Sequence, residues 1–256
     1  MMITATMRNR LLPVAAGICG AAIWWGLARA DVFPPSLFPS PGSVVRGLMT
    51  EITSGRLAND IVTSLWRVMA GFMLAVLLGI PAGLYLGRHI AARATFLPAI
   101  NFFRSLSPLA WIPFAILWFG IGDAPAIFLI FIASFFPVVL STLAASAAMP
   151  AVYFRVAHDF GITGRRLLLD VMLPAIAPGV ITTLRVTIGL AWLVVVAAEM
   201  IAGRDGLGFA IWDARNGLRM DLLVANMLVV GLIGVGIDRV LRRLTTLPNV
   251  RWGYEQ

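Results

Sequence analysis

Long apolar runs separated by short segments that hold most of the charge organise this chain. Runs at about 11–29, 61–87, 96–121, 125–147, 176–201 and 222–241 lie near the roughly 20 residues that a helix needs to cross a bilayer. The pattern predicts an all-α integral membrane protein with six transmembrane helices. One membrane domain over 11–252 is flanked by an N-terminal segment, 1–10, and a tail, 253–256. The third run is clearly apolar only over 108–121, so its span is extended back to Phe96, with Pro98, Pro108 and Pro113 expected to bend it.

The first run follows Arg8 and Arg10 and ends in Ala28-Arg29-Ala30, which looks like a signal-peptidase site. Its 18 residues, Leu11 to Ala28, carry Trp24 and Trp25 near the far end, whereas a cleaved apolar region is usually ~7–15 residues. A retained span is therefore expected. Between the first two runs, Pro-rich turns lead into a short amphipathic helix from Ser43 to Thr53, with Val44, Val45, Leu48 and Ile52 expected on one face. Ser40 is its candidate cap, and Pro41 suits the first turn.

Composition sharpens this picture. The chain is 60% apolar and 12% charged, against roughly 45–50% and 25% in a soluble domain. All 20 basic residues are Arg, and the formal charge is +8. Without Lys there is no P-loop and no Schiff-base chemistry. Cys19 alone excludes an internal disulfide and a Cys-cluster metal site, and His89 and His158 are too few and too far apart for a His-based centre. No catalytic or metal-ligating residue is expected.

The arginines fix orientation. With the N-terminus inside, the inner segments hold Arg8, Arg10, Arg88, Arg93, Arg104, Arg155, Arg165, Arg166, Arg239, Arg242, Arg243 and Arg251. The outer segments hold half as many: Arg29, Arg46, Arg56, Arg204, Arg215 and Arg219. This bias predicts both termini in the cytoplasm. The outer acids balance the outer arginines, so the positive excess lies inside and speaks for orientation and anionic lipid, not for nucleic acid.

The inner loop from Met149 to Pro174 is long, mixed in charge and helical in pattern on both sides of Gly161. Pro150 is expected to open a first short helix, Gly161 to break it, Thr163 to cap a second and Pro174 to end that one. The spacing Arg155-Val156-Ala157-x3-Gly161-x9-Val171-Met172-Leu173-Pro174 resembles the Glu-Ala-Ala motif of ABC importer permeases, E-A-A-x3-G-x9-I-x-L-P, departing at Arg155 where the motif has Glu. The nitrate/sulfonate/taurine branch of that family is also similar at Ser64-Leu65-Trp66-Arg67-Val68, Leu117-Trp118-Phe119-Gly120-Ile121-Gly122 and Phe135-Phe136-Pro137. Ala197-Ala198-Glu199-Met200-Ile201, Gly206-Leu207-Gly208 and Gly231-Leu232-Ile233-Gly234 continue the likeness, which covers roughly Phe38 to Trp252.

The resemblance implies the type I permease bundle of the methionine-permease-like kind, in a bacterial cytoplasmic membrane, with a coupling helix between spans four and five. It implies a non-enzymatic transport subunit that imports a small anion such as an aliphatic sulfonate, taurine or nitrate; bicarbonate and a thiamine-precursor-like compound are alternative cargoes. The implied partners are two ABC ATPase subunits carrying ATP and Mg²⁺, a periplasmic or lipid-anchored solute-binding protein, a second permease copy forming a homodimer, and membrane lipids. Coupling to the ATPase is implied over 151–170 and its flank, at Arg155, Ala157, Asp159, Phe160, Gly161, Thr163, Arg165, Arg166, Leu173 and Pro174. An ion-coupled secondary transporter is the reading from a different class; it calls for inverted repeats and acids at the midplane, and the spans offer only Glu199.

Three charged residues are candidates for the translocation pathway. Arg185 lies well inside span five, where an arginine costs ~2.5–3.5 kcal/mol on insertion scales, so it is expected to face the interior, either attracting an anion or bonded to a carboxylate or backbone. Glu199 is too far along the same helix to pair with it and is expected to be a solvated or helix-end carboxylate, or part of an outer gate. Arg67 is expected to snorkel outward from span two. Gly203, Gly206 and Gly208 predict a tight outer turn in preference to a phosphate loop.

Overall fold

The computed structural model describes residues 2–30, 34 and 37–244. The tail 253–256, Arg251, Trp252 and Asp31 lie outside the described residues, as do the side chains of Arg8, Arg10 and Arg243. Helix α1 (Met2–Arg29) covers the first expected span and meets α2 (Pro41–Thr53), where Trp24 Nε1 donates to the Pro39 carbonyl at 3.0 Å. Ser40 caps α2 as expected, its hydroxyl accepting from Ser43 N at 3.2 Å. The buried face differs from the expected one: Val44, Gly47 and Glu51 are buried, while Val45 and Ile52 are exposed. The i, i+3, i+7 positions win because Gly47, lacking a side chain, lets α2 settle against Leu222.

Among the described residues, four helices are long and apolar enough to cross a membrane, or five with the bent pair described below: α3 (Arg56–Arg88), α6 (Asp123–Ala147), α9 (Leu173–Ala202, continuous from Gly164) and α11 (Met220–Leu244). Small residues at four-residue spacing, Gly71, Ala75, Gly79, Gly83 and Gly87, form one stripe of α3. A Cβ at Gly83 would lie 2.6 Å from Thr142 Cβ and from the Val139 carbonyl, so the backbones of α3 and α6 approach each other as closely as glycine permits. Gly71 faces Ile130 and Gly87 faces Ser146, so the two helices run parallel. Helix α9 runs the other way: Thr183 bonds Ser141 at 2.6 Å, and Gly179 lies against Ala145. Helix α11 returns antiparallel to α9, with Trp192 Nε1 donating to Val230 O at 3.2 Å. Val68, Phe72, Leu129, Ile130, Ile188, Trp192 and Val195 fill the shared core.

The expected third span is two pieces. Helix α4 (Ile90–Ser105) is followed by a 3₁₀ turn, Pro108–Trp111, and by α5 (Ile112–Phe119), and the pieces meet at 88°. Leu106 and Ser107 are extended, and Pro108 has no N–H with which to continue α4, so a break replaces the expected bend. Pro113 starts α5.

Beyond α6, α7 (Ala151–Asp159) ends at Gly161, whose φ of +69° is the left-handed break expected there. The second short helix does not end at Pro174. Helix α8 (Gly164–Arg166) passes through a π-helical turn, Leu167–Met172, directly into α9, giving one continuous helix from Gly164 to Ala202. In the π turn Leu173 N reaches back five residues to Leu168 O, and Pro174, lacking an N–H, falls in the first turn of α9 where none is required. Thr163 stands at the cap position, but its side chain makes no capping bond.

Candidate coupling surface and translocation elements

The helix directions given by these contacts place α7 and α8 at one end of the bundle. The α9–α10 turn, with α10 (Leu207–Asn216), lies at the other end. At the first end, α7 divides into two faces. Ala157 is buried, and Phe154 packs towards Leu167, Leu168 and Met172. Val152, Tyr153, Val156 and Phe160 are exposed, Phe160 at 78%, together with Arg155, Asp159, Arg165 and Arg166. The backbone at the break is closed by Gly161 N to His158 O at 2.9 Å and Ile162 N to Ala157 O at 2.8 Å. Leu173 is half-buried and Pro174 exposed where the π turn joins α9. The exposed face of 151–170 is thus apolar and cationic, a form suited to seating in a groove of another protein.

At the opposite end, Arg67 and Glu199 depart from expectation together. Arg67 does not snorkel: its side chain is 1% exposed, and Nη1 donates to Glu199 Oε1 at 2.9 Å. Its Nε donates to Asp123 Oδ1 at 2.7 Å, Nη1 to the Asp205 carbonyl at 2.8 Å, and Nη2 to the Asp205 carboxylate. Glu199 lies in the last turn of α9, at the helix end as expected, but it is not solvated: it is wholly buried, accepting from Ser64 Oγ at 2.8 Å and Gly208 N at 2.9 Å. The cause is shared depth: Arg67 on α3 and Glu199 on α9 lie at the same level of antiparallel helices, so each removes the other's need for water.

The glycine turn completes this network. Gly206 N donates to Asp60 Oδ1 at 3.0 Å, Leu207 N to Ser64 Oγ at 3.0 Å, and Gly208 N to Glu199, so the free N–H groups of the α10 N-terminus are held by side chains of α3 and α9. A Cβ at Gly206 would lie 2.5 Å from Glu199 Oε1, and one at Gly208 would strike the Val196 carbonyl. The tight turn expected from Gly203, Gly206 and Gly208 is present, and its anion is the protein's own carboxylate. The sequence reading missed Asp60, Asp123 and Asp205 as members; the available signal was that all sit, with Arg67 and Glu199, at span ends on one side.

Arg185 is separate from both, and it does not meet Glu199. Its Nη2 donates to Asp238 Oδ1 of α11 at 2.8 Å and its Nε to the same oxygen at 3.2 Å. Arg242 bonds the other oxygen of Asp238. The side chain of Arg185 remains 32% exposed, nearer the α7 end of the bundle. Among the described residues there is no group of three or more His, Cys, Asp or Glu side chains arranged to hold a metal.

Comparison with known proteins places this architecture. A family model described as binding-protein-dependent transport system inner membrane component matches residues 75–247. The chain is 34% identical over 232 residues to the taurine transport system permease protein of Escherichia coli, covering 87% of this chain and 84% of that protein. It is 33% identical over 239 residues to the bicarbonate transport system permease protein of Synechococcus elongatus, covering 90% and 86%. Among solved structures, it is similar to a chain of the MetNI methionine ABC transporter in an inward-facing conformation, with a TM-score of 0.58 at 23% identity over 76% of this chain and 99% of that one. An all-helical bundle of this fold, whose sequence matches the family model across its core spans, belongs to the family of binding-protein-dependent transport system inner membrane components.

Proposed function

We propose that the chain is the membrane-spanning permease subunit of an ATP-driven ABC importer that brings a small anion, of the aliphatic sulfonate, taurine or nitrate type, into the cytoplasm. The observation that carries the reading is the family match together with the taurine permease among its relatives. The exposed face of 151–170 is the docking element for separate ATPase subunits, two per importer. Tyr153, Val156 and Phe160 supply its apolar contact, and Arg155, Arg165 and Arg166 meet acidic surface. When the ATPases close, α7 moves with them, and its motion enters α9 through the continuous helix from Gly164. The nucleotide and its Mg²⁺ belong to those subunits.

The permease acts in this reading as a homodimer, N-terminus and C-terminus inside, with a solute-binding protein delivering cargo at the α2–α10 end. Arg185 is the pathway residue: it retains solvent exposure within α9, as an anion-attracting group requires. Arg67 and Glu199, bonded to each other, hold the outer end of the bundle together. Bicarbonate is the second reading of the cargo, supported by a relative of nearly equal identity. Uptake measured in cells depleted of ATP with the membrane potential preserved tests the class: uptake should collapse, and undiminished uptake would return the ion-coupled alternative. Ligand screening of the cognate binding protein tests the cargo.

A further inference from the structure

At the α10 end of the bundle a cavity of about 230 Å³ opens between α2, α10 and α11, with Glu51, Arg56, Asp213, Gly217, Arg219 and Asn226 in its wall. Its two guanidinium groups are already engaged. Arg56 donates to Asp213 at 2.6 Å, and Arg219 donates to both oxygens of Asp221 at 3.1 and 3.0 Å. Glu51 is not: it is 6% exposed, and its Oε2 has no hydrogen-bond partner among the described residues. Asp221, paired with Arg219, adds a third carboxylate, so Glu51, Asp213 and Asp221 outnumber the two guanidinium groups by one. A buried carboxylate oxygen without a donor is costly, and the local charge favours a cation.

We infer that this cavity is a binding site for a primary ammonium group, with Glu51 as its anchoring carboxylate. One free carboxylate oxygen is too few for a divalent metal, which takes six or more oxygens, whereas an ammonium needs only two or three acceptors. Asn226, whose Nδ2 donates to Leu222 O, leaves its amide carbonyl as a second acceptor in the lining. The opposite face of α2 exposes Val45, Met49 and Ile52, each more than half exposed, so the helix lies where apolar lipid meets headgroups. The ammonium therefore comes either from a free small amine, the amino group of a taurine-like cargo included, or from an aminophospholipid headgroup.

Thermal unfolding of the full chain in nanodiscs separates the two sources. In phosphatidylcholine discs at constant ionic strength, methylammonium chloride at tenfold its midpoint should raise Tm by about 3 °C, while tetramethylammonium, which has no N–H donor, should not. If the natural source is lipid, phosphatidylethanolamine discs give the rise without added amine and abolish the methylammonium response. If it is a free amine, the response is the same in both discs. Glu51→Gln should abolish every such rise. Gly217→Leu fills the cavity from the opposite wall, with its Cβ at an ordinary 3.4 Å from Asp213 O, and should do the same should the first variant fold poorly. Equal responses to the two ammonium salts, absence of any saturable rise, or a rise retained in either folded variant would overturn the assignment.

Discussion

Replacing Arg67 by Met removes the one cation that three carboxylates share, and the structure states which of the three suffers. Asp123 and Asp205 are 57% and 46% exposed, so water replaces the guanidinium at both, and each loses less than about 1 kcal/mol. Glu199 is 0% exposed and keeps only the Ser64 hydroxyl and the Gly208 N–H. Leaving such a charge buried and unpaired costs about 3–5 kcal/mol, and at about 2–4 °C per kcal/mol for a chain of this size the Tm should fall by about 6–20 °C. Glu199→Gln made in the Arg67→Met background removes the stranded charge while keeping acceptors for Ser64 and Gly208. The double variant should recover more than half of the loss, a coupling of about 2 kcal/mol or more. Tryptophan fluorescence during thermal unfolding of the purified chain reads both values. A drop below about 2 °C for Arg67→Met, or a double variant no more stable than the single one, would refute the claim that Arg67 compensates a buried Glu199.

Three further outcomes are expected. Gly83→Leu should yield no monodisperse protein on size exclusion, because its Cβ would stand 2.6 Å from the Val139 carbonyl and the α3 and α6 backbones must part to admit it. Arg185→Ala should change stability by less than about 1 kcal/mol, since Asp238 is half-exposed and stays bonded to Arg242, yet should lower uptake at least tenfold in assembled transporter; normal uptake would remove Arg185 from the pathway. Gly161→Val meets no neighbour within 4 Å but must hold φ near +69°, at a cost of about 1–2 kcal/mol. The permease should still fold, while ATPase co-purification or ATP-driven uptake is lost.

How much of this was legible in the sequence depends on whether the signal is one-dimensional. Apolar run length marks the spans, and the arginine distribution marks their ends, because both are properties of a segment alone. Ser40, Pro41 and Gly161 announce helix starts and breaks by local chemistry, and all three act where expected. Arg67 and Glu199 were misread because each was weighed against solvent, when the relevant partner lay 132 residues away on an antiparallel helix. The α3 stripe from Gly71 to Gly87 was visible as small residues at every fourth position, but its partner helix was not. The break at Pro108 reads as a bend in the sequence because prolines inside spans usually kink a helix, and Pro81, Pro137 and Pro178 here do stay within theirs.

The π turn makes the coupling path testable. At its α10 end α9 is fixed to α3 by Glu199, and in its middle Thr183 is bonded to Ser141 of α6, so a displacement of α7 must pass through the turn at Leu167–Met172. A π turn holds one residue more than the α-helix it interrupts, and its wider winding absorbs the rotation of that residue. Inserting one alanine after Arg166, in the exposed α8 turn just before the π segment, should lengthen the helix without loss of core packing. Each residue of α-helix is about 100° of rotation, so the face carrying Tyr153, Val156 and Phe160 would swing by about that angle relative to α9. The variant should fold with a Tm within a few degrees of the parent and should bind the ATPases weakly or hydrolyse ATP without transport. Full ATP-driven uptake by the insertion variant would show that the rotational setting of α7 is not what couples the two machines.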